Sequence, residues 1–247
     1  MMEDLASAPR GTFKGVRFVL TDMDETLTYE GRLSGATYAA LEKLRNTALS
    51  VIVVTAAPAG WCDQMARMWP VDGVIGENGG FIFRRAGSYG LLRHFWHGGD
   101  QRAQLQEIGN RIRARVPDAV FADDQPFRMS SLAFTRPENE KSRATILAAI
   151  RDAGLRATEN NLWILGWLGD FDKLAMTRRV LADVDDRAIC YMGDSENDAP
   201  MFRTFEHTIG MSTVRGQPLS SYPRWVTRAP GGAGFVEAAE AVLASSR

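Results

Sequence analysis

The chain has 247 residues, 45% of them apolar and 24% charged, so it is neither fibrous nor disordered and can bury a core without disulfide or zinc staples. Twenty-nine basic residues against 30 acidic ones leave a formal net charge of −1, which gives no global attraction to nucleic acid or to an anionic membrane. No signal-peptide pattern and no run of about 18 apolar residues is present, and Cys62 and Cys190 form no CxxC pair, so a cytoplasmic protein with reduced thiols is expected.

At about 150 residues per domain, the length predicts one large domain or a domain carrying an insertion. Val16 to Thr21 is an apolar run that ends in an acidic cluster, the pattern of a buried strand with polar chemistry at its carboxyl end. A helix over Thr37–Leu49, a strand over Ser50–Thr55, a helix over Pro58–Trp69 and a strand over Gly73–Gly76 follow, which predicts a parallel α/β sheet. Glu77-Asn78-Gly79-Gly80 before Phe81 reads as a tight turn between strands. Between about Arg85 and Gly169 the pattern is helix (Gln101–Arg115), strand (Ser130–Thr135), helix (Ser142–Ala153) and strand (Leu162–Trp167). A helix over Lys173–Leu181, a strand over Arg187–Met192, a helix near Ala199, strands at His207–Gly210 and around Trp225, and a helix over Phe235–Leu243 then resume the α/β alternation. The expected architecture is a discontinuous Rossmann-like core, residues 1–84 and 170–247, with an α+β cap inserted at 85–169.

Four segments carry chemistry. Asp22-Met-Asp24-Glu-Thr26 places two carboxylates at a strand end, where like charges repel unless a cation or a shared proton relieves them. Taken alone it could also be a solvated acidic loop, the less favoured reading. Gly193-Asp194-Ser-Glu-Asn197-Asp198 follows a second buried strand, and taken alone it could simply cap a helix. In one parallel sheet the two acidic ends converge into an oxygen-ligand set suited to Mg²⁺. Lys173, one of only four lysines, could neutralise a phosphate oxygen and a carboxylate together, although an isolated helix lysine is often merely exposed. Thr55 ends a strand before Ala56 and Ala57, where its hydroxyl and the following N–H groups could hold phosphate.

The order and setting of these segments resemble the haloacid dehalogenase superfamily, over nearly the whole chain. The Glu77-Asn78-Gly79-Gly80 segment and the insertion between the second and third motifs resemble its Cof-like branch, which includes sucrose-phosphate and mannosyl-phosphoglycerate phosphatases. The resemblance implies Asp22 as the nucleophile that becomes an aspartyl-phosphate, and Asp24 as the acid and then the base. It implies Mg²⁺ held by the Asp22 carboxylate, the Asp24 carbonyl and Asp194, with Asp198 in or just behind that shell. Thr55, Ala56, Lys173 and Asn197 would lie around the phosphoryl group. The implied activity is hydrolysis of a small phosphorylated metabolite, a sugar, sugar-acid or polyol phosphate, with no nucleic-acid or membrane partner. A phosphomutase with the same nucleophile, or a non-catalytic phospholigand-binding protein, are the alternatives. Two departures stand out: Glu25 where many relatives have Gly, and Ala57 where many have Arg.

Elsewhere, His94 and His97 are too few for a metal site. Trp96, Trp163 and Trp167 could stack on a sugar or pack the cap on the core. Gly231-Gly232-Ala-Gly234 reads as a flexible lead-in to the last helix, and Cys190 as an inert core residue.

Overall fold

The structure, a computed structural model, describes residues 2–159 and 163–245. The first part of the chain gives β1 (Glu3–Asp4), β2 (Phe18–Thr21), a hairpin of β3 (Thr28–Tyr29) and β4 (Arg32–Leu33), α1 (Gly35–Arg45), β5 (Ser50–Val54), α2 (Ala59–Met68), β6 (Gly73–Gly76), β7 (Phe81–Ala86) and β8 (Gly90–Phe95). The middle gives α3 (Arg102–Arg115), β9 (Leu132–Thr135), α4 (Glu140–Asp152), β10 (Arg156–Glu159) and β11 (Trp163–Trp167). The last part gives α5 (Lys173–Val180), β12 (Ile189–Gly193), α6 (Ala199–Thr204), β13 (His207–Gly210), β14 (Trp225–Val226) and α7 (Gly231–Ser245).

Nine strands form one sheet in the order β1-β14-β13-β12-β2-β5-β6-β7-β8. Pairing is parallel as far as β6 and antiparallel for β7 and β8. The central strands are apolar throughout because both faces are covered. Val51 and Val53 of β5 face a core shared with α1, α2 and α7, while Ile52 and Val54 face one shared with α5 and α6. Helix starts are fixed locally: the Ser34 hydroxyl accepts from Thr37 N–H, and the Asp172 carboxylate accepts from Ala175 N–H. From β2 the chain runs outward through β5 and β6, and it returns to place β12 on the other side of β2. The reversal opens a crevice at the carboxyl ends of β2 and β12, the position where α/β sheets bind ligands.

A second sheet, β10-β11-β9, is antiparallel. One of its faces packs Leu132, Phe134 and Ile164 against α3 and α4 in a separate apolar cluster. Alternation along β11 turns Leu165 and Trp167 to the opposite face, where they meet Phe171 and Ala133. Residues 132–167 supply this sheet, whereas the expected insertion boundary at Arg85 falls inside β7, and β7 and β8 extend the large sheet. Of the expected strand Leu162–Trp167, Leu162 lies outside the described residues.

The glycines before the last helix are not a flexible lead-in. They form its first turns, and a Cβ on Gly232 would stand 2.3 Å from Thr37 Oγ1 and 2.9 Å from the Leu27 carbonyl oxygen. Close packing of α7 on α1 and the loop after β2 is what requires them.

Candidate active site

Asp22 follows β2 directly, and its N–H donates to the Met192 carbonyl at 2.9 Å, locking the first acidic end to β12. Asp194 follows β12, and its Oδ1 accepts from the Thr26 hydroxyl at 3.0 Å. One carboxylate oxygen each of Asp22, Asp194 and Asp198 lies within 4.8 Å of the others, and all three residues are buried. Buried carboxylates this close repel. Burial, with Lys173 opposing and Asp198 and Asp24 adding, pushes the Asp22 carboxyl up to about 7. Burial and the charges of Asp22 and Asp198 hold the Asp194 carboxyl well above its ordinary value.

Lys173, the first residue of α5, brings a buried ammonium into this cluster, 2.9 Å from Asp22 Oδ1 and 2.7 Å from Asp198 Oδ1. Both carboxylates outweigh its burial and raise its pKa. The oxygens of Asp198 are engaged on every side. Besides Lys173 it accepts from the Tyr191 hydroxyl at 2.5 Å, from the N–H groups of Asp194 and Ser195 at 3.0 Å, and from the Ser195 hydroxyl at 3.3 Å. Asp198 therefore holds the lysine and the acidic loop in place, while Asp22 and Asp194 carry the more open oxygens. Three carboxylates against one ammonium leave two negative charges when all are ionised, and the donors are all oxygen. That set fits a hard divalent cation.

Asp24 is less buried than Asp22 and stands beside the cluster. Burial raises its carboxyl to about 6, with Lys173 and Arg128 pulling down and Glu25 and Asp124 pushing up. Glu25, where many relatives have Gly, has a left-handed φ of 55°. Its N–H donates to the Thr28 hydroxyl, and its Oε1 accepts from Glu30 N–H at 2.9 Å, which secures the loop that leads into the β3–β4 hairpin.

A cavity of about 310 Å³ is lined by Asp22, Asp24, Ala56, Lys173, Asp194 and Asn197 among others. Asn197 Oδ1 also lies 3.5 Å from the Thr158 hydroxyl of β10, a contact between the acidic loop and the second sheet. Thr55 is fully buried and is not among the lining residues; its Oγ1 accepts from Ala57 N–H at 3.0 Å. Trp96 and Trp167 pack on Phe171, and Trp167 Nε1 donates to the Phe171 carbonyl, so both join the second sheet to the core. Trp163 alone of the three reaches the cavity region beside Asp24. His97 lies 3.2 Å from the Leu168 carbonyl and His94 is in β8; neither belongs to the carboxylate cluster.

Two features of this region were not foreseen from sequence. Glu77, buried and left-handed at φ 47°, accepts from Ala59 N–H (3.0 Å) and Met129 N–H (2.9 Å) on Oε1, and from Ser130 N–H (2.8 Å) and the Ser131 hydroxyl (2.7 Å) on Oε2. Burial raises its pKa while Arg128 and these donors oppose. It caps α2 and fastens the strand leading to β9 onto the core. Arg128 is also buried: it pairs with Asp124 at 2.6 Å, and its Nη1 donates to the Ala56 carbonyl and to Ser131 Oγ, both at 3.1 Å. A guanidinium thus does reach the segment after Thr55, although Ala57 supplies none. The Glu-Asn-Gly string was the only sequence signal for Glu77, and Arg128 had none.

No family model matches the chain. A phosphoglycolate phosphatase of Methanoculleus marisnigri is 28% identical over 235 residues, spanning 90% of this chain and 95% of that protein. Among solved structures, a Thermoplasma acidophilum protein superposes with a TM-score of 0.75 at 16% identity, covering 93% of this chain and 99% of its own. A HAD/COF-like hydrolase from Plasmodium vivax gives 0.70 at 13%, covering 94% and 97%. The chain has the haloacid dehalogenase fold, with the four motifs standing around the crevice of its sheet.

Proposed function

We propose that the protein is a Mg²⁺-dependent phosphatase that hydrolyses a small phosphomonoester, of the sugar, sugar-acid or polyol phosphate kind, through an aspartyl-phosphate on Asp22. The observation that carries this reading is the contact of Lys173 Nζ with Asp22 Oδ1 beside Asp194, at the crevice between β2 and β12. The phosphoglycolate phosphatase relative supports a monoester hydrolase.

An Asp22 carboxylate oxygen attacks phosphorus as the ester P–O bond breaks, and Asp24 gives its proton to the departing alkoxide. Burial raises its carboxyl to about 6, so far more of it is protonated near neutral pH than of an ordinary aspartate. Water then attacks the aspartyl-phosphate, its proton passes to Asp24, and Asp22 and orthophosphate are regenerated. Lys173 orients Asp22 and faces the phosphoryl oxygens, while Asp198 and Tyr191 fix the ammonium. Mg²⁺, when held by Asp22, the Asp24 carbonyl and Asp194, supplies charge neutralisation for the displacement.

Orthophosphate release from a panel of monoesters tests the proposal. The Asp22→Asn protein should retain its fold, judged by circular dichroism, and lose turnover by at least a thousandfold. Fluoroberyllate with Mg²⁺ should be retained by the parent protein and not by the variant. Turnover within tenfold of the parent by folded Asp22→Asn protein would refute the assignment, and phosphoryl return without orthophosphate would indicate a mutase.

A further inference from the structure

A second cavity, of about 370 Å³, is lined by Asp24 but not by Lys173. It shares Asp24, Gly31 and Ala56 with the first, so the two are neighbours with Asp24 in the wall of both. Its walls are unlike those of the acidic crevice. Trp61, Met65 and Trp69 come from α2 and the residue after it, Leu33 from β4, and Trp163 from the inner face of the second sheet. Trp61 is half exposed and lines the space. Aromatic rings converging beside a general acid are suited to a flat or ring-shaped leaving group.

The charges of this space are equally informative. Lys173 and Arg128 are the only cations among the described residues that line the two cavities. Lys173 is held by two carboxylates. Arg128 is spent on both oxygens of Asp124, on Ala56 and on Ser131. The first N–H of α2, which would otherwise attract an anion, is already bound to the Glu77 carboxylate. A carboxylate on the leaving group would therefore lie beside Asp24 and find no free cation on the cavity walls.

Building on the phosphatase reading, we infer that this cavity is the leaving-group site, and that it selects monoesters whose leaving group presents an uncharged ring and discriminates against those carrying a carboxylate. A cavity of about 370 Å³ has room for a ring-shaped leaving group. Trp61 and Trp163 are the specificity-determining residues, and they act on binding of the ring rather than on transfer of phosphorus. The inference narrows the substrate class: sugar acids and glycolate fall outside it.

The test compares benzyl phosphate, methyl phosphate and phosphoglycolate as substrates of the Mg²⁺-loaded protein, and benzylphosphonate with phosphonoacetate as non-hydrolysable ligands by calorimetry. Benzyl phosphate should exceed phosphoglycolate at least tenfold in kcat/KM, and benzylphosphonate should bind at least tenfold more tightly than phosphonoacetate. Trp163→Ala and, separately, the surface substitution Trp61→Ala should each lower the ratio of benzyl to methyl phosphate kcat/KM at least fivefold, mainly through KM. Preference for the carboxylate-bearing compounds, or an unchanged ratio in folded Trp61→Ala and Trp163→Ala proteins, would overturn the inference. If no monoester is turned over, the phosphatase reading fails, and the phosphonate comparison still decides whether the cavity selects the ring.

Discussion

Glu77 offers the sharpest test of how the second sheet is tied to the catalytic crevice. Replacing it with Ala leaves four donors without their acceptor: the N–H groups of Ala59, Met129 and Ser130 and the hydroxyl of Ser131. Each buried unsatisfied donor costs about 1–3 kcal/mol, and water entering the vacated volume recovers part of this, so a net loss of about 3–5 kcal/mol is expected. The left-handed backbone at φ 47° gives an internal control. Glycine adopts that conformation without strain, so Glu77→Gly should be less damaging than Glu77→Ala by about 1 kcal/mol, although both remove the carboxylate. Urea unfolding measures both: with a slope of about 2–3 kcal/mol/M, Glu77→Ala should lower the midpoint by about 1–2.5 M. A shift below about 0.3 M, or a Gly variant weaker than the Ala variant, would show that the clasp contributes little and that the strain argument is wrong.

Other outcomes follow from the same geometry. Adding Mg²⁺ to chelator-treated protein at about a hundred times its Kd should stabilise by about 2.7 kcal/mol, a rise of about 5–11 °C in Tm. Asp194→Asn should abolish most of that rise. His207 is packed edge-on to Phe13, and burial lowers its pKa. A depressed histidine contributes stability above its ordinary value of about 6.5 and loses it as the pH falls, so Tm should drop between pH 7 and pH 5 by more in the parent than in His207→Gln. Gly232→Ala should cost about 1–3 kcal/mol, lowering Tm by about 2–12 °C, because its methyl meets Thr37 and the Leu27 carbonyl; an unchanged Tm would contradict the close packing of α7.

What the sequence revealed and what it concealed divide along a physical line. Central strands such as β5 and β12 are buried on both faces, so they read as unbroken apolar runs, and the acidic clusters after β2 and β12 stood out against them. The strands that were missed lie where that pattern cannot form. β8 is an edge strand with mostly exposed side chains, β10 is short and polar, and β1, β3 and β4 have two residues each. The site divides in the same way. Asp22, Asp24, Asp194 and Lys173 announce themselves by standing at element ends, whereas Glu77 meets Met129, Ser130 and Ser131 across more than 50 residues of sequence. A glutamate in a Gly-rich turn looks solvated until the second sheet folds over it. The same holds for Arg128 and Asp124, whose i,i+4 spacing resembles an ordinary surface pair, yet both are almost fully buried.

The burial that hid these groups also explains how the site divides its work. In the acidic crevice, desolvation raises Asp22 and Asp194 because the protein supplies too few positive charges, and this shortfall makes a divalent cation favourable there. In the wall of the neighbouring cavity, the Asp124–Arg128 pair is electrically closed, with the second Arg128 nitrogen anchored on Ser131 and Ala56. It presents to the neighbouring cavity a rigid wall and no free charge. The two halves meet at Asp24, whose carboxyl is tuned by both: Lys173 and Arg128 draw it down, and Glu25 and Asp124 push it up. An unpaired Arg128 would lower the Asp24 pKa further and weaken it as a proton donor to the leaving group. Pairing with Asp124 therefore limits how far Arg128 lowers the Asp24 carboxyl and leaves no free cation on that wall of the cavity, which suits both parts of the proposal: a proton donor on Asp24 and an uncharged leaving group beside it.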